Sequence, residues 1–488
     1  MKNTKLFVVV SLIATLTGSL SSCGNGTKTG SKTIEFWHCL GHEKTRNLEI
    51  LTAKFNEDHK NTDGYQVKLV ALGGSYDTLD DYVKKQLNAG KTPSITMGYP
   101  DSFSGYMGSR GVANSQILNL DDFIKGDSDF DSSSFVSAYW DEGKHYQYEG
   151  TWSVPMYKST EAMYYNIGEF HKTNWYKTNK DKTENKTDVN GGSYTVALGD
   201  PNTWDWETLV TACTAIKEEK KGLSEFYALG YDSDSNLFIS QMKQRGIQYT
   251  TALGNTPDAH YSFYNDASSK AALKELTTEI HNLTSKKIMA TKTTYGSYSS
   301  DLFLQEKVMF TIGSTGGSAY NDPTGLDWSD GVGLAKVPAY KNNQQYILQG
   351  PSVCFFNTDD SAKEKVAWEY YSKYLSNDQL NVALALENSY DPVRKNSYDS
   401  KSYSAWTALG LDENGKDDPT KKLKYRIPNL TKTLRENYFT SPVFIGSSAA
   451  RTEIGNILKY VDQKNGDIDQ AIYQAIYEVY HNSVLASK

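Results

Sequence analysis

Between Lys32 and Met97 the chain alternates short apolar runs with amphipathic stretches, and few folds accommodate that alternation. Ile34–Trp37 reads as a strand, Glu43–Asn56 as a helix with Leu48, Leu51 and Phe55 on one face, and Val67–Val70 as a second strand. Asp77–Asn88 repeats the helical pattern through Leu79, Val83 and Leu87. Gly90 stands where a C-cap glycine would end it, and Pro93–Met97 gives a third strand. A strand–helix–strand–helix–strand order predicts a parallel, doubly wound sheet with helices on both faces. Such sheets take ligands beyond the carboxyl ends of their strands. Trp37-His38, Gly73–Asp77 and Gly98–Asp101 lie there, which makes Trp37, Tyr76, Tyr99 and Asp101 candidate contacts; the alternative for each ring is partial core packing.

The stretch Trp152–Asn166 (WSVPMYKSTEAMYYN) passes from an aromatic, proline-containing segment through Lys158-Ser159-Thr160 into the apolar run Ala162–Tyr165. A small hydroxyl step between two structured pieces suits a crossing between lobes, with Ser159 at the mouth of a cleft. An ordinary strand start with a solvated serine fits the same residues. With 488 residues, the chain exceeds what one hydrophobic core usually organises, so two lobes are expected.

The first residues read as an export signal: Lys2 and Lys5, an apolar run from Leu6 to Leu16, then small residues. Leu20-Ser21-Ser22-Cys23 looks like a lipobox, which assigns 1–22 to a lipoprotein signal peptide and makes Cys23 the lipidated residue. Residues 23–32 are rich in Gly, Thr and Ser and read as a flexible tether. The expected location is the extracytoplasmic face of the cell membrane, reached through the lipid. The balance of 51 basic and 58 acidic side chains argues against a nucleic-acid partner. The 35 Tyr and 9 Trp suit a protein that places rings at polar surfaces and ligand clefts. Cys39, Cys213 and Cys354 are widely spaced, which indicates neither a zinc site nor a disulfide framework.

Further along, Lys172–Asn190 is polar without apolar periodicity and reads as an exposed loop. Thr203-Trp204-Asp205-Trp206-Glu207 opens a helix, with Thr203 as its N-cap and two acidic residues in its first turn. Val308–Ile312 is a strand followed at once by the glycine-rich turn Gly313–Ser318, whose backbone N–H groups can receive an anion or sugar hydroxyls. No Lys follows in the Walker position, so nucleotide hydrolysis is not indicated. Ile347–Ser352 leads into the strand Val353–Phe356, and Lys363–Leu375 is a helix. Ser376–Gln379 looks like a capping box, and Ile468–Val479 is a strongly amphipathic final helix. Asp127–Asp131 has the start of a calcium loop but Ser132 and Ala138 at its key later positions, so it reads as a solvated acidic turn.

Taken in order, FWHCLGHEKTRNLEILTAKFN, WSVPMYKSTEAMYYN, PNTWDWETLV, DLFLQEKVMFTIGSTGG, ILQGPSV, YDPVRKNSY and the closing helix resemble the extracellular solute-binding proteins of ABC importers, in their large sugar-binding group. Within that group the chain is most similar to binders of glycerol-3-phosphate and glycerophosphodiesters. The resemblance implies an α/β, two-lobe periplasmic-binding-protein-like fold of type II, each lobe a doubly wound sheet, with the ligand cleft between them. Residues 33–158 plus about 350–395 would form lobe I, and 159–349 plus about 396–488 lobe II. It implies Tyr76, Ser159, Ser314, Gly350, Tyr390 and Arg451 as ligand contacts, no cofactor, no metal and no catalysis. The implied partners are a carbohydrate or glycerol phosphate ligand and the transmembrane subunits of a permease, with the protein itself a monomer. One position departs from the family: an acidic residue is expected after the tyrosine matching Tyr99, and this chain has Pro100 and then Asp101.

The residue chemistry is coherent beside the resemblance. Arg451 can offer a planar fork of donors to a phosphate or to vicinal hydroxyls. The rival class is a lipid-anchored glycan or phosphodiester hydrolase, which needs paired carboxylates, a nucleophile with its base, or metal ligands. The eight His show no HxH or HExxH spacing.

Overall fold

The computed structural model describes residues 31–107, 115–250, 261, 263 and 266–479. The export signal, Cys23 and nearly all of the tether lie outside the described residues. Lys32–Lys488 forms one contact unit built on two five-stranded sheets.

In the first sheet the spatial order is Gln66–Ala71, Thr33–His38, Ile95–Gly98, Ser352–Phe355 and Val154–Pro155. The first three strands are parallel, with Phe36 opposite Leu69 on one side and Ile95 on the other. Helices His42–Lys60 and Tyr76–Asn88 make the crossovers, the first burying Leu48, Leu51 and Phe55 against Ile34 and Phe36. Ser352–Phe355 then enters antiparallel, which makes the sheet mixed rather than wholly parallel.

The second sheet runs Val332–Lys336, Glu161–Asn166, Val308–Ser314, Tyr227–Tyr231 and Met289–Thr291. It too is mixed: the last three strands are parallel, and Glu161–Asn166 is antiparallel to both of its neighbours. Its core joins Met163, Phe310 and Leu229 to Leu209, Cys213 and Ile216 of helix Trp206–Glu219 and to the Ala471, Ile472, Ala475 stripe of the final helix. Cys39, Cys213 and Cys354 are buried and unpaired, as small core residues are. Among the described residues no helix is long and apolar enough to cross a membrane.

The two cores mark where the chain changes lobe. Tyr157 packs in the first and Met163 in the second; Ile347 packs in the second and Leu348 in the first. These crossings lie side by side: Ser159 and Gln349 exchange backbone hydrogen bonds at 2.9 and 2.8 Å, and Lys158 pairs with Asp391 in the same way. Lys158 is completely buried and its Nζ forms an ion pair with Glu142, donating also to Ser352 Oγ at 2.8 Å and to the Gly350 carbonyl at 3.2 Å. Gly350 adopts φ +90°, and a Cβ there would lie 2.8 Å from the Tyr157 carbonyl oxygen, so only glycine lets these strands approach so closely.

Three local expectations are corrected. Lys172–Asn190 is not a plain loop: helix Asn174–Asn179 is followed by the hairpin Thr183–Thr187/Ser193–Ala197. Its turn is held by Asp188, whose Oδ1 accepts from the N–H groups of Asn190 and Gly192. Lys186 and Tyr194 anchor the hairpin to Asp205 at 3.2 and 2.5 Å. Asp205, not Thr203, caps helix Trp206–Glu219 by accepting from Thr208 N, while Thr203 Oγ1 is engaged with Ala197. The cap before Asp378–Glu387 is Asn377, and Ser376 Oγ instead donates to Ser372 O.

Candidate ligand-binding cleft

A cavity of about 980 Å³ opens between the lobes, at the top of the ~300–1,000 Å³ range of small-molecule sites. Its lining comes from loops at strand ends and from the crossings.

The first lobe contributes Tyr76, Tyr99, Asp101 and Glu142. The turn Gly73-Gly74 has both residues in the left-handed region, which lets the chain reverse into Ser75. Ser75 Oγ accepts from Thr78 N at 3.2 Å and starts the helix with Tyr76 as its first residue. The Tyr76 ring lies 4.5 Å from that of Tyr99. Pro100 occupies the first position of helix Pro100–Tyr106, where its missing N–H costs nothing, and Asp101 follows at the cleft wall. Burial raises the Asp101 pKa above its ordinary value, opposed by the Arg451 guanidinium and by a hydrogen bond with Ser447.

The second lobe contributes a polar chain. Arg451, on helix Ser447–Gly455, donates from Nη2 to Asn236 Oδ1, and Asn236 Nδ2 donates to Glu161 Oε1 at 2.7 Å. Tyr231 Oη donates to the other Glu161 oxygen at 2.5 Å. Burial pushes the Glu161 carboxyl up to about 7, against the lowering by these hydrogen bonds and by Arg451. Ser314 faces Glu161 directly across the antiparallel pair and also lines the cleft. Asp232 and Asp234 follow strand Tyr227–Tyr231: Asp232 accepts from Ser300 N and Asp234 from Thr293 N, both at 3.1 Å. Burial raises both of their pKa values.

Of the residues expected at the site, Tyr76, Tyr99, Asp101, Ser314 and Arg451 line the cavity together. Ser159, Gly350 and Tyr390 stand behind that lining. Ser159 is buried in the crossing, and the Tyr390 ring lies 4.4 Å from the Tyr157 ring and against Gly316. Trp37 is a core residue: its ring meets Tyr82 edge-on at 5.2 Å, and its indole N–H donates to Glu35. Sequence reasoning did not single out Glu142, Glu161, Asp232, Asp234 or Gln349. The signal for two of them was present, since Asp232–Asn236 sits at the carboxyl end of a strand.

The cleft is acidic. Among the described residues seven carboxylates line it against three cations, Lys292, Arg451 and Lys459. No group of three or more His, Cys, Asp or Glu side chains among the described residues is gathered to hold a metal ion.

The family model of the bacterial extracellular solute-binding proteins matches residues 51–410. No curated protein sequence matches the chain. Among solved structures, UgpB from Mycobacterium tuberculosis in complex with glycerophosphocholine is similar at 15% identity and a TM-score of 0.66, over 92% of this chain and 98% of that one. The GacH receptor of Streptomyces glaucescens, solved unliganded and with acarbose, is similar at 14% identity and 0.63, over 92% and 97%. Lmo0181 from Listeria monocytogenes in complex with cycloalternan is similar at 15% and 0.63, over 93% and 99%. Likeness at this level of identity speaks to the fold.

Proposed function

The chain belongs to the bacterial extracellular solute-binding proteins, and from that premise we propose that it captures a neutral oligosaccharide between its lobes and delivers it to the permease subunits of an ABC importer. The observation that carries this reading is the charge of the cleft. Arg451, one of its three cations, is already bonded to Asn236 and set against Asp101 and Glu161. A phosphate would therefore meet more carboxylates than cations, whereas carboxylates accept readily from sugar hydroxyls. Tyr76 and Tyr99 supply rings for the apolar faces of a sugar.

In this reading Tyr76, Tyr99, Asp101, Ser314 and Arg451 touch the ligand, while Ser159, Gly350 and Tyr390 hold the crossing strands and the rings that support them. Residues 33–158 with about 350–395, and 159–349 with most of the remainder, are the two lobes. Ligand contacts made by both lobes favour the closed arrangement, a hinge population shift without a covalent step. Lys44 Nζ donating to the Gly316 carbonyl at 3.3 Å, and Ser104 and Ser447 hydroxyls 3.4 Å apart, are contacts that opening would break. The protein acts as a monomer tethered through lipidated Cys23 on the extracytoplasmic face of the membrane.

A second reading, a glycerophosphodiester ligand, is favoured by the presence of Arg451 and Lys292 in one cavity. A thermal-shift screen against linear and cyclic oligosaccharides, glycerol-3-phosphate and glycerophosphocholine decides between them, since a ligand that binds only the folded state raises the melting temperature. Stabilisation by phosphate compounds alone would replace the first reading with the second.

A further inference from the structure

Three polar atoms of the cleft lining have no hydrogen-bond partner in the protein: Asp234 Oδ1, Gln349 Nε2 and Ser441 Oγ. Of the three residues only Asp234 and Gln349 are buried, 6% and 8% exposed, so solvent access does not explain those two. Neither side chain is loosely placed. Asp234 is held by its other oxygen, which accepts from Thr293 N at 3.1 Å at the start of helix Lys292–Tyr295. Gln349 is fixed through its backbone, which exchanges two hydrogen bonds with Ser159 at the crossing. Buried polar groups in native proteins nearly always find partners, so each exception calls for an explanation, and in a ligand cleft a bound solute can supply the missing partner.

We propose that Asp234 and Gln349 are specificity-determining contacts, the Asp234 carboxylate accepting from a ligand hydroxyl and the Gln349 carboxamide donating to a ligand oxygen. The assignment rests on the oligosaccharide reading above. A sugar hydroxyl both donates and accepts, so one hydroxyl-rich ligand satisfies both groups at once. A phosphate oxygen only accepts and would bring a second negative charge to Asp234. Gln349 lies between Ile347 of the second core's strand and the buried Gly350, so a ligand held by its amide is held at the crossing itself. Asp234 belongs to the second lobe, so the pair spans the hinge and one wall.

The test compares the full chain with Asp234→Asn and Gln349→Met, by calorimetry against neutral oligosaccharides and glycerophosphocholine, and by thermal unfolding without ligand. Each variant is expected to lose tenfold or more in oligosaccharide affinity. Its ligand-free melting temperature should stay close to that of the parent, because Asp234→Asn keeps an acceptor for Thr293 N while giving up a buried acid, and Gln349→Met removes an unpaired amide. A purely structural role would lower both together, and that result overturns the proposal. So does affinity within twofold of the parent in both variants. If the parent binds glycerophosphocholine and no oligosaccharide, the oligosaccharide reading fails alone; the same tenfold criterion, measured with glycerophosphocholine, then decides the two residues. If the parent binds neither, both readings fall.

Discussion

Val443 packs among the side chains of the first core, and Phe444, the next residue, among those of the second. Val443 N also donates to His145 O, and Tyr146 and Val443 form a parallel bridge, so the chain returns to the first lobe before entering helix Ser447–Gly455. This is a crossing that the sequence reading placed wholly in the second lobe. Phe444→Ala should cost about 3–5 kcal/mol of stability, as large-to-small changes of buried aromatic residues do. Denaturant unfolding of the variant measures it.

Lys158 and Glu142 form an ion pair with almost no solvent on either partner, and it sits under the crossing strands. Lys158→Met strands a buried carboxylate and should destabilise the protein by about 3–5 kcal/mol. Adding Glu142→Gln should return most of that loss. A double-mutant cycle by chemical denaturation gives both figures.

Arg451 links the second lobe's polar chain to Asp101 of the first. Arg451→Ala should weaken ligand binding tenfold or more, because it removes a charged donor and leaves two neighbouring carboxylates unbalanced. Calorimetry with the solute found by thermal shift checks it, and unchanged affinity would remove Arg451 from the site.

Glu161 keeps its proton to about pH 7 in the folded protein, against an ordinary value of 4.5. Between those values the folded state binds more protons than the unfolded chain. This contribution is therefore fully present below about pH 4.5 and is lost as pH rises to 7. Glu161→Gln should flatten that decline. Melting temperatures from pH 4.5 to 8, parent against variant, show whether it does.

Gly316 lies against Tyr390, and a Cβ there would come within 2.5 Å of the ring. The two belong to opposite sides of the cleft, since Gly316 follows a strand of the second sheet and Tyr390 packs in the first core. Gly316→Ala should hold the lobes apart and raise the dissociation constant severalfold. Small-angle scattering with saturating ligand should then report a larger radius of gyration than for the parent.

The strand–helix alternation of Thr33–Gly98 was legible because local periodicity and sheet position agree there. The antiparallel entry of Ser352–Phe355 was not, because pairing partners far apart in sequence leave no local mark. Thr203 read as an N-cap by residue type, yet Asp205 stands two residues nearer the first free N–H groups and takes the role. The hairpin Thr183–Ala197 lacks an apolar face; its turn and its anchorage to Asp205 order it instead. In the cleft, residues beside glycine turns and strand ends were found from sequence. Glu142 and Gln349 were not, since each becomes a lining residue only through burial by distant segments; Asp234 was missed although it follows a strand end.

The strand that completes the first sheet, Ser352–Phe355, separates Ile95–Gly98 from Val154–Pro155, and Val443 of the same core comes later still. On the ribosome, neither lobe can therefore close its core until most of the chain has emerged. Long-range pairing of this kind folds slowly. For a family that works outside the cell, slowness of this kind is an advantage: it lengthens the time the nascent chain spends unfolded, the state in which a chain is most easily passed across a membrane.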